Sequence, residues 1–321
     1  MARENNQRVA SPGLSTALGL TGAGGLPSHN LAPAEDLSPW IARIFATDVT
    51  ADPDSLIECG LVSDTPVLRV LFRGDWKAET RDGVGRYKNA ALFFGPQTKR
   101  MKISVKGGFA TLGVALKPGA VAALHGPRVE ETLDRIILYD HIYGDKTWGT
   151  SEQLIEWFDP AGPPERWLKV AEALLRQLIE LSGGMKPDPI VEAFDKAAFA
   201  DPNLNLGDFA REHGIERRRL QRIIKKAFGQ PAKQVLRRAR ALDMAAELRG
   251  VSDNAEAEDL ALRYYDQSHL IRDFTAFFGM TPRQFARTPQ PLMTLTLEAR
   301  QARRLEVLGR LLPGDELPWR K

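Results

Sequence analysis

The sequence predicts an α+β chain with a strand-rich N-terminal part followed by an all-helical C-terminal part. Three observations carry this. Short apolar runs separated by Gly, Asp and Lys turns occupy residues 66–116. Helical periodicity replaces them from about residue 118 onward. The C-terminal segment then repeats its own apolar pattern 50 residues apart. With 321 residues, 43% of them hydrophobic, the chain can bury two ordinary cores.

In chain order, residues 1–28 are rich in Gly, Ser and Ala and read as a disordered tail. Strands are expected over 66–72, 89–94, 101–105 and 109–116. Short helices are expected over 118–125 and 151–158. A longer one is expected over 164–181, where Trp167, Ala171, Leu174, Leu175, Leu178 and Ile179 form one stripe. That stripe widens toward Leu168 and Leu181, which suits either a homodimer interface or a cover for the strand-rich core. The Gly- and Pro-rich stretch 183–189 breaks the chain. The expected division is therefore 1–28, a domain over 29–182, a linker over 183–189, a helical domain over 190–290, and a tail over 291–321 with one more basic amphipathic helix over 295–312.

Charge is unevenly placed. The net charge is only +3, yet residues 211–240 hold eleven Lys or Arg against Glu212 and Glu216, so that segment carries +9 and the remainder −6. A basic segment on an acidic body points to a polyanion partner, or to a solvated helix face. No window offers the ~18 uninterrupted apolar residues of a membrane span, and the first residues lack the layout of a signal peptide. Cys59 is the single cysteine, which excludes an internal disulfide and cysteine-rich zinc sites and makes a cytoplasmic location the default expectation. Cys59 reads as a small buried hydrophobe or a redox or metal sensor.

The repeat is specific. Leu220, Ile224, Phe228 and Gly229 recur as Leu270, Phe274, Phe278 and Gly279, and Arg222 recurs as Arg272. Each copy is an amphipathic helix ended by a glycine suited to a left-handed residue. Each follows a shorter helix candidate, 206–212 and 256–263, which is the layout of a helix-turn-helix. With Leu220 and Ile224 buried, a step of about 100° per residue places Arg218, Arg222 and Lys225 opposite them, with Arg219 and Gln221 at the edges. In the second copy Ser268, Arg272 and Thr275 lie opposite Leu270 and Phe274, with His269 flanking. These nine residues are the expected DNA contacts, the arginines suited to guanine edges and their neighbours to phosphates.

The stretch Tyr264-Tyr265-Asp266-Gln267-Ser268-His269-Leu270-Ile271-Arg272-Asp273-Phe274, followed by Phe278-Gly279-Met280-Thr281-Pro282-Arg283-Gln284-Phe285, resembles the signature of AraC-type (AraC/XylS) transcription regulators. Leu206-Gly207-Asp208-Phe209-Ala210 with Gly214 and Leu220-Gln221-Arg222 is similar to the first unit of that family, and Arg240 falls where the family has an arginine. Two residues depart from it. Arg263 stands in place of a turn glycine, and Asp259 in place of a small residue. The resemblance implies a bacterial regulator with two recognition helices joined by a long helix, binding double-stranded promoter DNA and acting with RNA polymerase. Upstream, Phe94-Gly95-Pro96-Gln97-Thr98 and Leu112-Gly113-Val114-Ala115-Leu116-Lys117-Pro118-Gly119-Ala120 resemble the sensor domain of one branch of these regulators. That implies a small β-barrel-like domain followed by helices, responsive to a small-molecule effector.

For such an effector, Arg69 and Arg73 alternate onto one side of a strand. They suit an anionic molecule, or they are edge-guarding surface charges. No cofactor, metal or enzyme constellation is expected. The five histidines lack metal-ligand spacing, and no Gly-x-Ser-x-Gly or phosphate loop occurs. Tyr139-Asp140-His141 reads as a turn or helix end rather than a proton relay. The alternative from another class is an interaction module that has lost sequence-specific DNA binding through Asp259 and Arg263.

Overall fold

The computed structural model describes residues 14–16, 26, 28–143, 149–252, 267–312 and 315–320. Among them nine strands form one antiparallel sheet: β1 (Leu14–Thr16), β2 (His29–Leu31), β3 (Ile41–Ala51), β4 (Leu56–Leu61), β5 (Val67–Thr80), β6 (Gly83–Tyr87), β7 (Ala90–Phe94), β8 (Met101–Leu116) and β9 (Ile136–Leu138). The ladder runs β1-β3-β8-β5-β7-β9, with β2 on β3, β4 on β8 and β6 on β5.

This corrects the β-barrel-like expectation. Closure requires the first and last strands to pair with each other. Here the path ends at β1 on one side and β9 on the other, with no ladder joining them among the described residues. Both are three-residue strands, and short edges of this kind offer little template for further pairing.

Two glycines let the sheet bend without breaking. The runs 101–105 and 109–116 belong to one strand, β8, whose first half pairs with β4 and second half with β3. Gly107 between them has a φ of 76°, so a residue without Cβ carries the irregularity. Its partner β5 shifts register between Leu71 and Arg73 and again between Arg73 and Asp75, around Gly74 with a φ of 98°. The shifts change which residues face which side. Val67 and Leu71 before them, and Trp76 and Ala78 after them, belong to one core cluster, while Leu68, Val70 and Phe72 pack in the other.

The helices of the N-terminal half are α1 (Ala120–Ala123), α2 (Val129–Thr132), α3 (Asp140–Tyr143), α4 (Ser151–Phe158) and α5 (Pro164–Leu181). The α5 stripe is buried against β3 and β8, and the rings of Trp167 and Phe158 pack at a tilt against Phe72 with centroids 4.5 and 5.6 Å away. The stripe that suited a dimer interface is thus taken up by the sheet, with Leu181 exposed at its end. Asp140 opens α3 and accepts from the Ser151 backbone N–H at the start of α4, so it works at helix ends. Parts of the 1–28 stretch are ordered against the sheet: β1 pairs with β3, and Leu26 and Ser28 are buried.

Beyond the Gly183–Gly184 turn come α6 (Pro189–Ala200), α7 (Leu206–Glu212), α8 (Arg217–Phe228), α9 (Ala232–Leu248), α10 (Gln267–Phe278), α11 (Pro282–Arg287) and α12 (Pro291–Val307). The 256–263 helix candidate, with Asp259 and Arg263, lies outside the described residues. The amphipathic helix expected over 295–312 forms over Pro291–Val307. Glu298, Arg300, Gln301, Arg303 and Arg304 of α12 are all buried, because α12 packs against β3, β4 and α9.

Candidate nucleic-acid interface and the cavity behind it

The recognition-helix candidates form as their apolar spacing requires. Leu220, Ile224 and Phe228 on α8 are 1, 0 and 4% exposed; Leu270, Phe274 and Phe278 on α10 are 7, 0 and 1% exposed. The repeat read from sequence is therefore a repeat of packing. Both helices end on left-handed glycines, Gly229 and Gly279, with φ of 71° and 67°. A Cβ at Gly229 would also lie 3.1 Å from Val129 and Leu133, so this position serves close packing as well. Asn205 caps α7 by accepting from the Gly207 and Asp208 N–H groups, and Gly214 makes the turn into α8.

With the apolar stripe buried, Arg218, Arg219, Gln221, Arg222 and Lys225 are all exposed, and Arg217 and Lys226 extend the basic face. Arg218, Arg219 and Arg222 have no ion pair among the described residues. Lys225 lies 3.8 Å from Glu130 of α2, against which α8 packs. On α10, Ser268, His269 and Arg272 are exposed and Thr275 is half-buried. Arg272 donates to the Ser268 carbonyl at 3.2 Å, and Thr275 to the Ile271 carbonyl at 2.7 Å. The structure thus puts four of the expected contacts, with Gln221 beside them, on one cationic face of α8, and the other four along α10.

The long helix between them holds the two units by charge-assisted bonds that the sequence reading missed. Asp273 of α10 accepts from Arg237 at 2.5 Å and Arg240 at 3.3 Å, and Arg240 also reaches the Pro202 carbonyl at 3.0 Å. Burial alone would raise the Asp273 carboxyl, but Arg237 and Arg240 outweigh it and hold it below the usual range. Arg238, fully buried, points the other way, donating to the backbone carbonyls of Gln97 and Asp64 at 3.0 Å each. Arg300 of α12 bridges Asp64 at 2.9 Å and Asp243 of α9 at 2.5 Å. The visible signal for this network was three arginines, Arg300, Arg303 and Arg304, at helical spacing.

Between the sheet, α9 and α12 lies a cavity with about 1090 Å³ of free space, part of it open to solvent. Arg69 lines it; Arg73 does not. Arg73 sits between the two register shifts of β5, is half exposed, and pairs with Asp48. The structure therefore does not bring the two arginines together, because strict alternation ends at Arg73. Arg69 is held between the rings of Phe45 and Phe94, its guanidinium carbon 5.3 Å from each centroid. Burial pulls its pKa down to about 10, which leaves it charged at neutral pH. Cys59 is buried, its Sγ 3.5 Å from Gln290 Oε1, and burial pushes its thiol up. No cluster of three metal-ligating side chains occurs among the described residues. No described helix is long and apolar enough to cross a membrane.

A family model described as a helix-turn-helix domain matches residues 209–288. The helix-turn-helix-type transcriptional activator AarP of Providencia stuartii is 33% identical over 81 residues, covering 25% of this chain and 58% of that relative. The match thus takes in little more than half the relative's own length. Residues 29–138 match a second family model, described as a domain of unknown function. Among solved structures, ToxT from Vibrio cholerae overlays with a TM-score of 0.44 at 8% identity, covering 76% of this chain and 97% of that one. The AraC-like transcriptional activator CuxR overlays at a TM-score of 0.29 and 15% identity, covering 73% and 86%. These overlays are too loose to establish a shared fold.

Proposed function

We propose that this chain is a DNA-binding transcription regulator of the AraC type, with α8 and α10 as its two recognition helices. The observation that carries the reading is the exposed face of α8. Its arginines stand opposite a fully buried stripe, inside a segment that matches a helix-turn-helix family model. Arg222 and Arg272 hold equivalent places in the repeat and are the candidates for base-edge contacts. Lys225, Arg218 and Arg219 are the candidates for phosphates, with Gln221, Ser268, His269 and Thr275 beside them. Promoter DNA and RNA polymerase are the macromolecular partners in this reading. The cavity between the sheet and α12 supports a second element of it, a small-molecule effector that biases the arrangement of the DNA-binding helices. Its walls come from both halves of the chain, so an occupant interacts with both.

The test is a binding titration on DNA fragments selected from a genomic pool, against random DNA, at two salt concentrations. Arg222→Ala is expected to cost about 1–3 kcal/mol on selected DNA and to relax preference at one or two base pairs. Lys225→Ala is expected to weaken both DNAs alike and to flatten the salt slope by about one unit. Equal losses on selected and random DNA from both variants would refute these roles.

A further inference from the structure

Three of the four arginines around the cavity are matched by carboxylates, and one is not. Four arginines line it: Arg43, Arg69, Arg300 and Arg303. Arg43 donates to Glu306 at 2.5 Å and to the Asn30 side chain at 2.9 Å. Arg300 is shared between Asp64 and Asp243, and Arg303 pairs with Asp195. Arg69 alone has neither a hydrogen bond nor an ion pair among the described residues, and its Nε is out of solvent without a partner. A cation held in an apolar setting without an anion is expensive, and native interiors seldom leave one so. The two phenylalanine rings orient the guanidinium and shield its faces, while its N–H edge, where an oxyanion binds in-plane, has no protein acceptor.

Most of the exposed wall is apolar, with Val67, Trp76, Phe109, Leu242, Leu292 and Leu295 in it, while of the carboxylates in the lining Asp64 is held by Arg300 and Glu298 accepts from Trp319. A free phosphate or a sugar would leave these side chains without contact. A neutral hydrocarbon would leave Arg69 unmatched. We infer that the cavity binds an amphipathic organic acid, an apolar body ending in one carboxylate or sulfonate, with the head group on Arg69 and the body against α9 and α12. This names the ligand class for the effector site of the proposed regulator and rests on that reading for its regulatory meaning. The regulatory consequence follows from the walls. Leu242 belongs to α9, the helix joining the two recognition units, and Leu292 and Leu295 to α12, so occupancy ties both helices to the sheet.

The experiment compares two fluorescent probes that differ by the acid alone, anilinonaphthalene sulfonate and neutral phenylnaphthylamine, on the full chain without DNA. The sulfonate is expected to titrate one saturable site. Arg69→Gln is expected to weaken it by about tenfold or more while leaving phenylnaphthylamine within about twofold, and Arg69→Lys to keep most of the sulfonate affinity. Leu295→Trp, which fills the cavity from α12, is expected to weaken both probes. Melting curves and near-ultraviolet circular dichroism of each variant establish that the fold is retained. Three results would overturn the inference: unchanged sulfonate binding in Arg69→Gln, a parallel loss of both probes in that variant with the fold intact, or unchanged binding of both in Leu295→Trp. Because the readout contains no DNA, such a failure counts against this site and leaves the DNA-binding reading standing. Failure of the Arg222 test leaves this one standing in turn.

Discussion

Replacing Arg69 with methionine is expected to stabilise the ligand-free protein. Burial pulls the guanidinium well below its ordinary value, to about 10, and that gap corresponds to about 3 kcal/mol of preference against the charged form. The rings of Phe45 and Phe94 return part of this, on the order of 1–2 kcal/mol together. Methionine keeps most of the volume, makes favourable sulfur–aromatic contacts, and carries no charge. The expected net gain is about 1–2 kcal/mol. Spread over the unfolding entropy of a chain this long, it raises Tm by roughly 2–3 °C in differential scanning calorimetry. The pH dependence adds a second constraint. A base with a depressed folded-state pKa carries its full penalty below that value and loses it only as pH rises through about 10 toward its unfolded pKa. The gain should therefore be flat between about pH 6 and 9. A lowered Tm in Arg69→Met, or a gain that varies across that window, would show that Arg69 has an anionic partner and refute the reasoning.

Two further outcomes are expected. Asp64→Asn removes a carboxylate that faces Arg300, Arg238 and Arg303, and with Asp243 still on Arg300 it should cost about 3 kcal/mol, read from the urea midpoint at constant m. Burial would raise the Asp64 carboxyl, yet those three arginines hold it below the usual range. Its stabilisation is therefore present above the ordinary carboxylate pKa and lost as pH falls below it, so the variant should show a shallower acid-side loss than the native chain. Cys59 should resist a thiol-exchange reagent in the native state and react at the unfolding rate, because it is buried and its thiol is pushed up; fast native-state reaction would contradict the packing of β4 on α12.

The helical half was readable because its packing obeys one period. Leu220, Ile224 and Phe228 recur at Leu270, Phe274 and Phe278, and all six are buried. The strand-rich half was harder for identifiable reasons. The strand β3 is buried along nearly its whole length, including Arg43 and Thr47, so it shows no alternation of polar and apolar residues. At Gly107 a dipeptide that resembles a turn is instead an irregularity inside one continuous strand. The Arg69–Arg73 pairing failed because alternation holds only while register does, and β5 shifts at Arg73. A sheet that stays open while bending cannot be distinguished from a closed one by local pattern. Closure is a pairing between distant strands. The partners of the α12 arginines were not legible for a related reason: the acids that match them, Asp64, Asp195 and Asp243, are brought to the helix from three distant places.

The same network explains why α9 cannot shift independently of the sheet. Arg237, Arg238, Arg240 and Asp243 lie within seven positions on α9 and face four different structures. Arg237 and Arg240 hold Asp273 on α10, and Arg240 also holds the turn before α7. Arg238 holds the two sheet loops through the Gln97 and Asp64 carbonyls, and Asp243 holds α12 through Arg300. A slide of α9 by one residue, about 1.5 Å, would break these charge-assisted bonds together, because each spans 2.5 to 3.3 Å and has little slack. The alternative to the observed arrangement is thus a discrete second set of partners rather than a continuous drift. Lysine at these positions would follow such a slide on a flexible stem. Arginine, with its fixed fork, resists it, and arginine occupies all three cationic places on α9 that make these contacts.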